Sequence, residues 1–137
     1  MSLNLDIVTP EKMVFSDAVE NVYLPGSDGE LGVLPRHAGL VTALKAGELR
    51  YLHNGKVVTL AVGSGFAEIT QTNVVVLTDM ALGEAEIDIA QAEAAIQRAQ
   101  EQLHGVDHSI DAEEVAFLQG IIARSTVAIN FKRKSQA

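Results

Sequence analysis

Leu3, Leu5 and Ile7 alternate with Asn4 and Asp6, the two-residue period of a strand with one buried face, and Thr9-Pro10-Glu11 ends the run. Val14-Phe15 and Val19 to Leu24 repeat the pattern. Leu49 and Tyr51 lead into His53-Asn54-Gly55-Lys56, where Asn-Gly supplies the two left-handed residues of a tight hairpin, and Val57 to Val62 returns from it. Phe66 to Ile69 reads as another strand, Thr72-Asn73 as a turn and Val74 to Thr78 as a buried strand. Many short strands at this spacing predict an antiparallel β-sandwich, or flattened barrel, over residues 1–83, closed by Gly83.

From Glu84 the period changes. Ile89, Ala92, Ile96, Ala99 and Leu103 recur at intervals of three and four, one apolar stripe on a helix, and Asp88 with Gln91 can form a capping box at its start. His104 to Ser109 breaks the pattern, and Val115, Leu118, Ile122, Ser125 and Ile129 resume it. Two matched stripes across a short loop predict an antiparallel helical hairpin over residues 84–137. Its small stripe residues imply one narrow seam and a hairpin that is marginal alone.

Between these patterns lies Gly26-Ser27-Asp28-Gly29-Glu30-Leu31-Gly32-Val33-Leu34-Pro35-Arg36-His37-Ala38-Gly39. Its glycines and proline require a turn, a short extension from Glu30 to Leu34 and a second turn. Glu30, Arg36 and His37 are thereby expected at one end of the β-domain, where contact residues are usually found.

Charge narrows the partners. A net charge of −8 and a pI near 4.8 repel nucleic acid and anionic lipid and favour a basic partner. With no cysteine in the chain, disulfides, thiol catalysis and thiolate metal sites are excluded. The first residues carry neither a basic nor an apolar leader region, and no window approaches the roughly 20 apolar residues that span a bilayer, so membrane association is expected through a partner.

Candidate chemistry is sparse. Gly63-Ser64-Gly65 is followed by strand rather than helix, which favours a corner over a phosphate loop or a nucleophile elbow. Ser27, His37 and Asp28 supply the residue types of a hydrolase triad, but such spacing arises easily by chance. His53, His104 and His108 read as solvated loop histidines, with no metal site expected. The acidic run from Glu84 to Glu114 reads as the wet face of two helices, with Asp88 and Asp111 as caps. Arg124 and Lys132-Arg133-Lys134 oppose the negative end of the second helix dipole or reach an acidic partner. The residues alone describe an acidic interaction or regulatory module.

Gly29-Glu30-Leu31-Gly32-Val33-Leu34-Pro35-Arg36-His37-Ala38 closely resembles a Gly-Glu-Leu-Gly-x-x-Pro-x-His-Ala segment of the epsilon subunits of bacterial F-type ATP synthases. The likeness continues through Thr42 to Gly47 and Val62 to Ile69 into the alanine-rich tail, nearly the whole chain. It implies a non-catalytic central-stalk subunit of a proton-translocating complex on the cytoplasmic face of the bacterial inner membrane. The implied partners are the gamma subunit and the c-subunit ring, contacted through Glu30, Arg36 and His37. The hairpin would rise against the alpha and beta subunits and restrain ATP hydrolysis.

No cofactor is required by the resemblance, although several members of that family bind ATP between the helices through an Ile/Leu-Asp-x-x-Arg-Ala motif. Here the motif reads Ile87-Asp88-Ile89-Ala90-Gln91-Ala92, with Gln91 where the arginine belongs. Asp88, Gln91, Arg98 and Arg124 would be the contacts, and the missing cation predicts weak or absent binding. The alternatives are a free-standing sensor of ATP or another anion held between the helices, and a small hydrolase.

Overall fold

The computed structural model describes residues 2–105 and 112–136. Ten strands come first: β1 Leu3–Val8, β2 Met13–Val19, β3 Asn21–Gly26, β4 Gly29–Val33, β5 Leu40–Leu44, β6 Gly47–His53, β7 Lys56–Val62, β8 Gly65–Ile69, β9 Asn73–Thr78 and β10 Ala81–Leu82. A 3-10 turn, Glu84–Glu86, leads to α1, Ile89–His104, and α2, Ala112–Gln136. The end of the interhelical loop and the cap expected at Asp111 lie outside the described residues.

The strands run β10-β7-β6-β3-β5-β8-β9-β1-β2, with β4 beside β3. This sheet folds over a core of Leu3, Leu5, Ile7, Val22, Leu24, Leu49, Val62, Ile69, Val74 and Val76. Phe15 of β2, the last strand of the order, packs on Tyr51 of β6, third from the other end, with ring centroids 4.5 Å apart, so the sandwich nearly closes. All the strand pairs are antiparallel except β1 with β9, which are parallel. No short turn joins these two strands, so nothing local dictates their direction.

Two turns follow from their residues. Asn54 and Gly55 have φ of 53° and 77°, and His53 pairs with Lys56 across them, the tight hairpin that Asn-Gly predicts. At Gly63-Ser64-Gly65 the chain leaves β7, which pairs with β6, for β8, which pairs with β5 and β9. A Cβ on Gly65 would stand 1.9 Å from the Leu77 carbonyl oxygen, so the corner admits only glycine there. The buried Thr78 hydroxyl donates to the Gly63 carbonyl at 2.9 Å and fixes the corner.

The helices pack along the expected stripes. Ala99, Leu118, Ser125 and Ile129 are buried, and Ile89, Ala92, Ile96, Leu103, Val115 and Ile122 are half-buried. Asp88 caps α1 by accepting from the Gln91 N–H at 3.1 Å.

The hairpin nevertheless buries more than one narrow seam. A second stripe of α2, Ile121, Arg124, Ala128 and Phe131, lies on another face at the same spacing. Its Ala128 and Phe131 pack with Val127 against Ala61, Met80, Leu82 and Ile87. The second helix is therefore wedged between its partner helix and the outer face of β6–β7, with Ala61 as the small residue that lets it approach.

Candidate functional site

The signature segment divides between two places. Glu30, the second residue of β4, stands opposite Pro25, near the turn between β5 and β6, where the Lys45 N–H donates to the Pro25 carbonyl at 2.9 Å. Arg36 and His37 follow the other end of β4. There the Arg36 N–H donates to the Gln71 carbonyl at 3.0 Å, beside the turn between β8 and β9. A five-residue strand rises about 3.3 Å per residue, so Glu30 does not share one end of the domain with Arg36 and His37. β4 is extended and carries them to opposite ends.

Glu30 is not a free carboxylate in this conformation. It forms an ion pair with Arg50 of β6, whose guanidinium lies 5.0 Å from the Tyr23 ring centroid on the intervening β3. Across β3, Gly32 stands opposite Tyr23, and a Cβ on Gly32 would come within 2.9 Å of the ring. Gly32 is thus a mid-strand residue that gives the tyrosine ring its place, not a turn glycine. Gly29, with φ of 132°, does supply the turn. At the far end Arg36 takes a left-handed φ of 69°, which turns the chain and leaves its side chain exposed, while the His37 Nδ1 lies 2.6 Å from the Ala38 carbonyl oxygen.

The opposite half of the sheet carries a feature that strand reading passes over. Met13, Val8, Leu77 and Phe66 line up across β2, β1, β9 and β8, and Val41 of β5 stands in the next row, opposite Glu68. Met13 is 55% exposed, Leu77 53%, Phe66 59% and Val41 68%. Asp6 and Glu68, the partners of Val75 in the next row, give this apolar face an acidic border. The run Val74-Val75-Val76-Leu77 signals a strand apolar on both faces, which reads as fully buried when only the core side is considered.

Between the helices lies a cleft of about 330 Å³, lined by Arg98, Ala99 and Gln102 of α1 and Phe117, Leu118 and Arg124 of α2. Of the four candidate nucleotide contacts, the structure brings Arg98 and Arg124 to this cleft. Asp88 is occupied as the α1 cap and Gln91 is exposed on the first turn, about 10 Å along the axis from Arg98. Arg124, in the cleft wall, is already engaged, donating to the Asp79 carboxylate at 3.4 Å. The four do not form one site in this conformation.

The hydrolase constellation fails on topology, since Ser27 and Asp28 sit in the β3–β4 turn at the far end of β4 from His37. His53 is bound to Asp17, Nε2 to Oδ2 at 3.0 Å, and edges onto Phe15. The Ala18 N–H and the His53 ring hold the Asp17 carboxyl below its ordinary range, while burial pushes the Tyr51 hydroxyl up. Among the described residues no three His, Asp or Glu side chains gather as a metal site, and no helix is long and apolar enough to cross a membrane.

Residues 2–84 match the family model for the ATP synthase delta/epsilon chain, beta-sandwich domain. An ATP synthase epsilon chain of Desulforamulus reducens is 49% identical over 119 residues, 85% of this chain and 90% of that one. Its counterpart in Dehalococcoides mccartyi is 42% identical over 136 residues, 98% of this chain and 97% of the relative. Among solved structures, a chain of the Euglena gracilis mitochondrial ATP synthase superposes with a TM-score of 0.69 at 21% identity, covering 92% of this chain and 78% of that chain. A chain of the Tetrahymena thermophila central stalk/c-ring structure gives 0.60 at 8% identity, covering 100% and 98%. At these identities the two superpositions show the shared fold.

Proposed function

Because the chain belongs to the ATP synthase delta/epsilon family, with ATP synthase epsilon chains among its relatives, we propose that it works as a central-stalk subunit of a bacterial F-type ATP synthase. In this reading residues 1–83 are the dock. They bind a gamma subunit and the ring of c subunits, and so help couple proton-driven rotation to ATP synthesis in the alpha–beta hexamer. Residues 84–137 are the regulatory part, which restrains ATP hydrolysis when it leaves the sandwich and meets the hexamer. The complex would hold the chain at the cytoplasmic face of the inner membrane without any insertion of its own.

The observation that carries the docking role is the exposed apolar row of Met13, Leu77 and Phe66, bordered by Asp6 and Glu68, with Val41 next to Glu68, on the sheet half away from the helices. Large exposed apolar surfaces of this kind mark protein interfaces. Gamma is the occupant proposed for it, while Arg36 and His37 at the β8–β9 end, and Glu30 once parted from Arg50, are proposed contacts for the c-ring or gamma.

Copurification with a gamma-like subunit tests this. Phe66→Asp with Leu77→Asp should abolish the copurification while the chain keeps its strand signal in circular dichroism. Full retention by the folded double variant would remove this face from the interface.

A second reading, anion sensing, draws on Arg98 and Arg124 at the interhelical cleft. With Gln91 in the arginine position and Arg124 engaged by Asp79, we expect weak or absent ATP binding. Calorimetry that returned a low-micromolar dissociation constant, lost on Asp88→Ala, would favour the sensor instead.

A further inference from the structure

The last turns of α2 carry three consecutive cations, and each is tied to a different neighbour. Lys132 Nζ donates to the Ile87 carbonyl at 2.8 Å and to the Glu84 carbonyl at 3.3 Å. Arg133 reaches Glu93 of α1 at 2.7 Å, and Lys134 reaches Glu48 of β6 at 2.6 Å. Successive helical residues are turned by about 100°, so the three fan out around the helix, and all can be satisfied only where it is walled on three sides. The walls here are the sheet, the first helix and the linker between the two parts of the chain.

The three contacts are not equivalent. Arg133–Glu93 and Lys134–Glu48 join mostly exposed side chains, whose attraction is weakened by solvent and side-chain entropy. Lys132 is half-buried, and its acceptors are backbone carbonyls, which cannot swing away as a carboxylate can.

Those carbonyls belong to the linker. The Glu86 N–H donates to Gly83 at 3.0 Å and the Ile87 N–H to Glu84 at 3.2 Å, which together form the 3-10 turn. The Ile87 side chain is buried with Ala128 and Phe131, four and one residues before Lys132 on α2. A three-residue 3-10 turn has little stability of its own. From outside this one is held by this stretch of α2, by Ala61, Met80 and Leu82 around Ile87, and by an exposed ion pair of Glu86 with Lys12 at 3.8 Å.

We propose that Lys132 is a lock on the linker, which makes the 3-10 turn at residues 84–86 and the docked position of α2 a single cooperative unit. The ammonium gathers the Glu84 and Ile87 carbonyls, the linker thereby presents Ile87 to Ala128 and Phe131, and α2 cannot lift without releasing the turn. The hairpin then has two discrete positions rather than a continuum, as a switch requires.

This goes beyond the assembly role proposed above, and it is tested on the full chain without partners, so its failure leaves that role untouched. Native-state hydrogen exchange at the Glu86 and Ile87 amides reports the turn, and the amides of β9 report the sandwich. Lys132→Met keeps the aliphatic stem and removes the ammonium; it should speed exchange at Glu86 and Ile87 about ten-fold or more and leave β9 unchanged. Lys132→Arg should restore most of that protection. Lys134→Met, which removes an exposed pair, should change the same amides less than two-fold. Exchange within two-fold of the original chain in Lys132→Met overturns the proposal, and so does an equal acceleration at β9, because the cation would then be supporting the sandwich as a whole.

Discussion

The sandwich and the hairpin are stabilised in opposite ways. In the sandwich, the large side chains of β1, β3, β6 and β9 meet each other, and Leu3, Leu5, Ile7, Val22, Leu24 and Leu49 lose all contact with solvent. Among the described residues of α1 and α2 only Ala99, Leu118, Ser125, Ala128, Ile129 and Phe131 are buried, and Ala128 and Phe131 are buried against the sandwich. The sandwich therefore carries its own core, whereas the hairpin borrows part of its core from the sandwich. An element that depends on a neighbour for its apolar contacts can be displaced by any partner that offers better ones.

The widest separation of the two regions comes from the core. Leu24→Ala should destabilise the sandwich by about 2–5 kcal/mol and take the hairpin with it, so that urea unfolding followed by any probe moves as one transition. Phe131→Ala should cost about 2–3 kcal/mol and act on docking alone, raising hydrogen exchange in α2 and the linker while β9 stays protected. Removal of everything after Gly83 should likewise leave a folded β-domain, and loss of strand signal in that fragment would show that the borrowing runs both ways.

Arg124→Gln sharpens the comparison at lower energy. The Arg124–Asp79 pair is about one-third exposed on each side, which limits it to about 1 kcal/mol or less. Its loss should loosen α2 in hydrogen exchange and weaken the salt dependence of docking.

The smallest expected effect lies within the sandwich, at Asp17. Its carboxyl titrates lower in the folded chain than the ordinary value of 3.8, chiefly through the Ala18 N–H and then His53. A folded value below the unfolded one gives stability that is present above the unfolded value and fades as pH falls through the folded one. The urea midpoint of the original chain should thus exceed that of Asp17→Asn near neutrality, with the gap closing below about pH 4. A constant gap would assign the effect to packing.

Legibility in the sequence followed the range of the interaction. The Asn54-Gly55 hairpin, the alternation of β1 and the facing stripes of the helices rest on neighbours within a few residues, and all three stand in the structure as read. The second face of α2 escaped because Arg124 interrupts Ile121, Ala128 and Phe131, and a stripe broken by a cation reads as a wet face until Asp79, 45 residues earlier, accounts for the charge. Gly32 looked like backbone punctuation because the ring it accommodates is on another strand. Of the candidate site, the exposure of Arg36 was visible from the turn around it. The pairing of Glu30 with Arg50 was not, since it needs the lateral order of β4, β3 and β6.

The parallel pairing of β1 with β9 has a consequence for biosynthesis. Asn4 and Asn73 are register partners, so a loop of about 70 residues must close before the first strand gains its second neighbour. A chain emerging from the ribosome presents Leu3, Leu5 and Ile7 early, with only β2 available to pair, and at roughly 5–20 residues per second the open edge persists for several seconds. Translation thus leaves the sandwich seam open until β9 appears, and that interval, rather than any property of the finished molecule, is when this chain most needs protection from self-association.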